Sequence, residues 1–240
     1  MTGVQTCALP IYSLIDNQFR RNFVWFDNYV KTLTNEYFLL ALRNSLLIIV
    51  ICVPVLVALA LVISLGLSFG IRAVRKTRFA FVLPMVIPTA SAVLIWQSVF
   101  TDTSTPLPVY LLFIWKNIGI CIVLLTAAFT AIDGSIFEAA RLDGAGKFTL
   151  HTKITVPMIM PTIFFTVLLS IVNSFRIFKE SYLFFGTNYP PDHSYTLQYY
   201  MNNNFLKLDY QSLASAAVLT SVLVFLIVMG GLAVQRRYRQ

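Results

Sequence analysis

Five runs of this sequence, near 44–69, 79–100, 109–131, 158–178 and 212–234, stay apolar long enough to cross a bilayer. A helix rises about 1.5 Å per residue, so about 20 such residues traverse a hydrocarbon core roughly 30 Å deep. Lipid offers the backbone no hydrogen bonds, and each run must therefore satisfy its own N–H and C=O groups as a helix. The spacing predicts an all-α integral membrane protein, a polytopic bundle of five transmembrane helices. Pro54, Pro84, Pro88 and Pro161 fall inside the runs and are expected to kink them.

Charge orients the bundle. Of 240 residues 58% are hydrophobic and only 12% charged, whereas soluble domains carry about a quarter. A net charge of +8 would suggest nucleic acid in a soluble chain. Here the basic residues gather in links: Arg72, Arg75, Lys76 and Arg78 in the first, Arg141, Lys147 and Lys153 in the third, and Arg236, Arg237 and Arg239 at the C-terminus. The second link, Thr101–Pro108, has none, and the fourth has only Lys207 beyond the span edge at Lys179. The positive-inside rule makes the first and third links and the C-terminus cytoplasmic. The N-terminal segment is then external, with Arg20, Arg21, Lys31 and Arg43 arguing the other way. Topology accounts for the charge, and no nucleic-acid partner is expected.

Several chemistries are missing from the sequence. There is no G-x-x-x-x-G-K-[ST] phosphate loop. His151 and His193 are the only histidines, too few for a triad or a metal cluster. Cys7, Cys52 and Cys121 have no metal spacing and form no even disulfide set. The chain is expected to be non-catalytic, without metal or cofactor of its own. Residues 1–12 resemble translated adapter sequence rather than a signal peptide and are set aside as a non-native leader. Residues 13–43, rich in Phe, Tyr and Trp, suit an external interfacial segment. Residues 44–240 form the transmembrane domain, with a polar loop at 132–157.

That loop is the most informative polar stretch. Ser135 precedes Glu138 by three residues, a capping-box spacing, and a helix over Ser135–Asp143 is expected. Gly144 is placed to end it in a left-handed turn. A second helical run, Lys147–Thr155, leads to Pro157 at the start of the next span. Glu138-Ala139-Ala140, then Gly144, Ile154 and Pro157, resemble the "EAA" loop of the permease subunits of binding-protein-dependent ABC importers, with Val156 in place of leucine. The resemblance covers about 29–240. It includes Arg78-Phe79 through Leu83-Pro84 to Trp96, and Ile114-Trp-Lys-Asn-Ile-Gly119, which is similar to sugar-type permeases of the maltose and glycerol-phosphate kind. The link 101–108 departs from that pattern, being too short for an external helix. A first span preceding the aromatic segment, six in the intact protein, is what the family leads one to expect.

The resemblance implies a permease subunit in a bacterial inner membrane, forming the path for a sugar or sugar derivative. Its implied partners are a dimer of ABC ATPase subunits that binds the ATP, a second permease subunit (a paralogue), and an extracellular or periplasmic solute-binding protein. The loop would be a coupling helix docking on the ATPase: Ile136 or Phe137 as apolar anchor, Ala139 and Ala140 for close approach, and Glu138, Gly144, Ile154 and Pro157 completing the motif. Glu138 serves either as the capping-box acid or as a partner contact. Polar residues inside spans mark a substrate path because lipid exposure is costly. Asn117, Asn173, Ser174 and Arg176 are the candidates, with Trp96 and Trp115 as sugar-stacking surfaces. The plainer readings are an Arg176–Glu180 helix pair, Lys116 reaching the outer surface and interfacial tryptophans. The loop 186–211 reads either as a docking surface for a binding protein or as a wet aromatic loop. Permeases for amino acids or anions, an ion-coupled secondary transporter and a membrane scaffold remain the alternatives.

Overall fold

The computed structural model describes residues 9–16, 22–68, 78–146 and 149–238. The basic residues Arg20, Arg21, Arg72, Arg75, Lys76, Lys147 and Arg239, and most of the leader, lie outside them. Among the described residues the fold is helical, with one isolated antiparallel bridge between Ile15 and Phe23.

Helix α1 spans Asp27–Leu33, α2 Glu36–Ser68, α3 Arg78–Val86, α4 Thr89–Val99 and α5 Leu107–Thr130. After α5 come α6, Gly134–Leu142, and a π-helical run, Leu150–Thr155, continuing into Val156–Met158. Next are α7, Met160–Ser174, α8, Phe178–Phe185, α9, Leu197–Leu206, and α10, Tyr210–Tyr238.

The core is the seam between α2 and α5. On α2, Ile48, Cys52, Leu56, Ala60 and Ser64 recur every four residues, so they share one face, and all are buried. They meet Leu112, Phe113, Cys121, Ile122 and Leu125 of α5, and the Ser64 hydroxyl donates to the Ile122 carbonyl across 3.3 Å. The opposite face of α2 presents Val50 and Val62, each 68% exposed, as a helix solvated by lipid tails would. Helix α3 packs on α5 closely enough that a Cβ added at Gly119 would stand 2.6 Å from the Phe81 carbonyl oxygen.

The five expected spans are modified in two places. Helices α2, α5 and α10 are each long and apolar enough to cross a membrane alone. The run 158–178 becomes α7, joined to Leu150–Met158 at a 65° bend, and the pair passes the same test only if taken as one broken span. The bend falls at Ile159, and Pro161, four residues beyond Pro157, has no N–H for the carbonyl one turn back. The run 79–100 is not one helix: α3 and α4 stop and restart at Ile87–Pro88, where Pro88 has ψ 137°, outside the helical region. Pro54 and Pro84, by contrast, sit inside uninterrupted helices. The loop 186–211 is also drier than a wet aromatic loop would be. Tyr195, Leu197, Tyr199, Tyr200 and Asn203 are buried, Asn44 of α2 donates to the Tyr195 carbonyl at 2.9 Å, and the Leu197 N–H donates to Ser45 at 3.1 Å.

Gly119→Ala forces α3 away from α5, a type of overpacking that costs about 1–3 kcal/mol. Thermal unfolding in detergent should show a Tm lowered by several degrees, while Gly230→Ala, with open space at its Cβ, should leave Tm in place.

Candidate functional site

The α3–α4 break and a second break, the turn between α7 and α8, open onto one cavity of about 930 Å³, whereas the bend at Ile159 does not line it. The α3–α4 break contributes Val86, Ile87, Pro88 and Thr89 to its wall. Helix α5 contributes Phe113, Lys116, Asn117 and Ile120. The end of α7 and the start of α8 add Asn173, Arg176, Lys179 and Glu180, and Gln198 comes from α9. Backbone that leaves the helix at membrane depth is tolerated where it is covered by protein or lines a wet cavity. The placement of two such breaks on one polar cavity follows that rule.

Charges in the wall are unequal. Lys116 and Glu180 form an ion pair at 3.5 Å, each side chain 17% exposed, and Lys116 also donates to the Thr89 hydroxyl. One lysine thus ties α5 to α8 and to the first residue of α4. Among the described residues this is the only ion pair, so the expected Arg176–Glu180 pair gives way to Lys116–Glu180, and Lys116 is turned inward rather than to the outer surface. The Asn117 amide donates to the Phe113 carbonyl at 2.8 Å, fixing its rotamer. Gln97 of α4 donates to the Phe184 carbonyl at 2.8 Å and to Leu183 at 3.3 Å, satisfying two carbonyls at the end of α8.

Ser174 and Trp115 lie outside this wall, whereas three of the six path candidates, Asn117, Asn173 and Arg176, come together in it. Trp96 does not. Its indole N–H donates to the Pro108 carbonyl at 2.9 Å, and its ring lies 5.4 Å from that of Trp115 and 5.2 Å from that of Phe100. The two tryptophans brace α4 against α5 instead of offering a free stacking face. Thr89, Lys116 and Gln198 were missed as wall residues. A lysine mid-span paired with a distant glutamate was the available signal for one of them.

The polar loop folds as a second, separate feature. Helix α6 starts one residue earlier than expected, and its cap is Asp133, whose carboxylate accepts from the Ser135 N–H at 3.0 Å. That bond holds the Asp133 carboxyl below the ordinary carboxylate range, so the cap is present at neutral pH and is lost as pH falls through the lowered value. The capping box between Ser135 and Glu138 is not formed because Ser135 lies inside the helix, leaving Glu138 exposed. At the other end Gly144 has φ +80°. Its N–H donates to the Arg141 carbonyl at 3.1 Å and the Ala145 N–H to the Ala140 carbonyl at 2.9 Å, the two bonds of a Schellman turn. Ala140 is buried at 8% exposure, so only Ala139 of the pair faces outward. The large apolar side chain presented to solvent is Leu142, 89% exposed, while Ile136 and Phe137 are half-buried. Ile154 is half-buried and Pro157 exposed, in the run leading to α7. Among the described residues no group of three or more His, Cys, Asp or Glu could hold a metal.

A family model described as "Binding-protein-dependent transport system inner membrane component" matches residues 36–240. The chain belongs to that family. Within it, the arabinooligosaccharides transport system permease protein of Bacillus subtilis (strain 168) is 28% identical, over 91% of this chain and 80% of that protein. The osmoprotective compounds uptake permease protein of Synechocystis sp. is 27% identical over 70% of each chain. The fold is that of a bacterial ABC transporter involved in the import of the acidic polysaccharide alginate, with a TM-score of 0.75 over 98% of this chain and 90% of that one, at 20% identity.

Removing one partner of the Lys116–Glu180 pair strands a largely buried charge, at a cost of about 1–3 kcal/mol. Lys116→Met should therefore lower Tm, and the double variant Lys116→Met/Glu180→Gln should recover most of the loss. A double variant no better than the single one would show that the pair does not hold the two helices.

Proposed function

We propose that this permease forms the path for a sugar or sugar derivative and couples it to ATP hydrolysis by a separate ATPase subunit dimer, with a second permease subunit and a solute-binding protein completing the importer. The observation that carries the reading is the pair of helix breaks meeting at a polar cavity in a chain of the binding-protein-dependent family. Amide and guanidinium groups of Asn117, Asn173 and Arg176 offer the hydrogen-bond donors and acceptors a hydroxyl-rich solute needs. A relative named for arabinooligosaccharides favours a sugar over other solutes. In a bacterial inner membrane, α6 and the C-terminus would face the cytoplasm, with the loop 186–211 outside.

Coupling falls to α6. Glu138, Ala139 and Leu142 lie on its exposed side, and the Schellman turn at Gly144 fixes the angle at which the chain leaves. A groove on the ATPase would take Leu142 as its apolar anchor, with Phe137 buttressing from below and Ala139 permitting close approach. Movement of the ATPase subunits then pulls on the run through Ile154 and Pro157 into α7, which ends at the cavity wall. Broken helices around a cavity also suit an ion-coupled carrier. Transport by proteoliposomes with and without ATP decides between the two, and uptake driven by an ion gradient alone would contradict the importer reading.

Two substitutions test the coupling loop. Gly144→Asp places a side chain at φ +80° and should cost about 1 kcal/mol locally. Leu142→Ser removes the anchor without touching the fold. Both variants should reach the membrane at normal levels yet lose the co-purifying ATPase. Unchanged co-purification of Leu142→Ser would place the docking surface elsewhere.

A further inference from the structure

The charge of the cavity wall points to the class of solute, on the assumption that the importer reading holds. Three cations, Lys116, Arg176 and Lys179, and one anion, Glu180, line it. Glu180 is committed to Lys116 at 3.5 Å. Arg176 and Lys179 have no acidic partner among the described residues; both are exposed, and both line the cavity. The wall also contains the start of α4, where Pro88 supplies no side-chain cap and the first-turn N–H groups carry the positive end of the helix dipole. Fixed positive charge in a membrane-bounded cavity is unfavourable until a counter-charge arrives. Low-dielectric walls concentrate its field on whatever enters.

We infer that the solute of this permease is anionic, a sugar bearing a carboxylate or phosphate group, with Arg176 as its principal charge partner. Arginine suits the role because its planar fork meets a carboxylate or phosphate with two parallel hydrogen bonds. Asn117 and Asn173 would meet the sugar hydroxyls beside it. A neutral oligosaccharide would leave Arg176 and Lys179 uncompensated in the closed path.

The test uses the full chain, with whatever subunits remain bound, in phosphatidylcholine nanodiscs, so that lipid supplies no net negative charge. Binding of digalacturonate, of glucose 6-phosphate and of the neutral galactobiose that matches the first is followed by the shift in Tm. Digalacturonate or glucose 6-phosphate should raise Tm and galactobiose should have at least tenfold weaker effect. Raising NaCl should weaken the acidic response. Arg176→Gln, with unchanged Tm in the absence of sugar, should lose at least tenfold in apparent affinity for the acidic sugar that binds, and Arg176→Lys should recover part of it. Equal responses to digalacturonate and galactobiose, a response to galactobiose alone, or no response to either digalacturonate or glucose 6-phosphate would overturn the inference. ATP-dependent uptake of neutral sugars only would remove this inference and leave the importer reading standing, whereas uptake that needs no ATP would remove the reading beneath it.

Discussion

Every backbone polar group at membrane depth has to find a partner inside the protein or in water held by the protein. Most of this chain meets the condition by continuous helices such as α2, 33 residues long. The exceptions are the ends of α3, α4, α7 and α8, where the helical ladder stops. The end of α3, the start of α4, the end of α7 and the start of α8 meet at one cavity, and neither helix start there has a side-chain cap, so water in the cavity would satisfy the groups left free. The cavity is thus a consequence of where the helices break, and the breaks follow from Pro88 and from the turn after Ser174.

Holding short helix pieces in place demands contacts that lipid cannot disrupt. Lys116 reaches from the rigid α5 to Glu180 and Thr89, Gln97 satisfies the end of α8, and Trp96 fastens α4 to Pro108. The bonds of Lys116 and Trp96 pin broken elements to the unbroken α5, and that of Gln97 pins one short piece to another. The Schellman turn at Gly144 plays the corresponding part outside the bundle, where it sets the direction of α6. Movement of α6 would reach the cavity through α7, whose far end carries Asn173 and whose following turn carries Arg176.

The spans were legible where hydrophobicity alone decides, as in α2, α5 and α10. The split of 79–100 was not, because Pro84 and Pro88 look equivalent in sequence. Only packing shows that Pro84 is accommodated within α3 while Pro88 sits between two helices with ψ outside the helical region. Local geometry misled at the cap: Ser135 and Glu138 have the right spacing, but Asp133, two residues earlier, takes the N–H first. The cavity residues Asn117, Asn173 and Arg176 could be chosen because polar groups inside apolar runs are costly. Trp96 could not be excluded, since its bond to Pro108 depends on a turn between helices that no periodicity reveals. The exposure of Leu142 was hidden for the same kind of reason: which face of a nine-residue helix turns outward is set by its neighbours.

The most direct test of this account is water access to the two breaks in the intact membrane. In a background with Cys7, Cys52 and Cys121 replaced, single cysteines at Thr89, Asn173 and Leu94 would be exposed to a membrane-impermeant maleimide. Leu94 lies on the outer face of α4, 67% exposed, where the account places lipid. Labelling at Thr89 and Asn173 but not at Leu94 is the result expected of a wet cavity between broken helices. Protection of Thr89 and Asn173 together with labelling at Leu94 would mean that the breaks are sealed in protein and the path lies elsewhere.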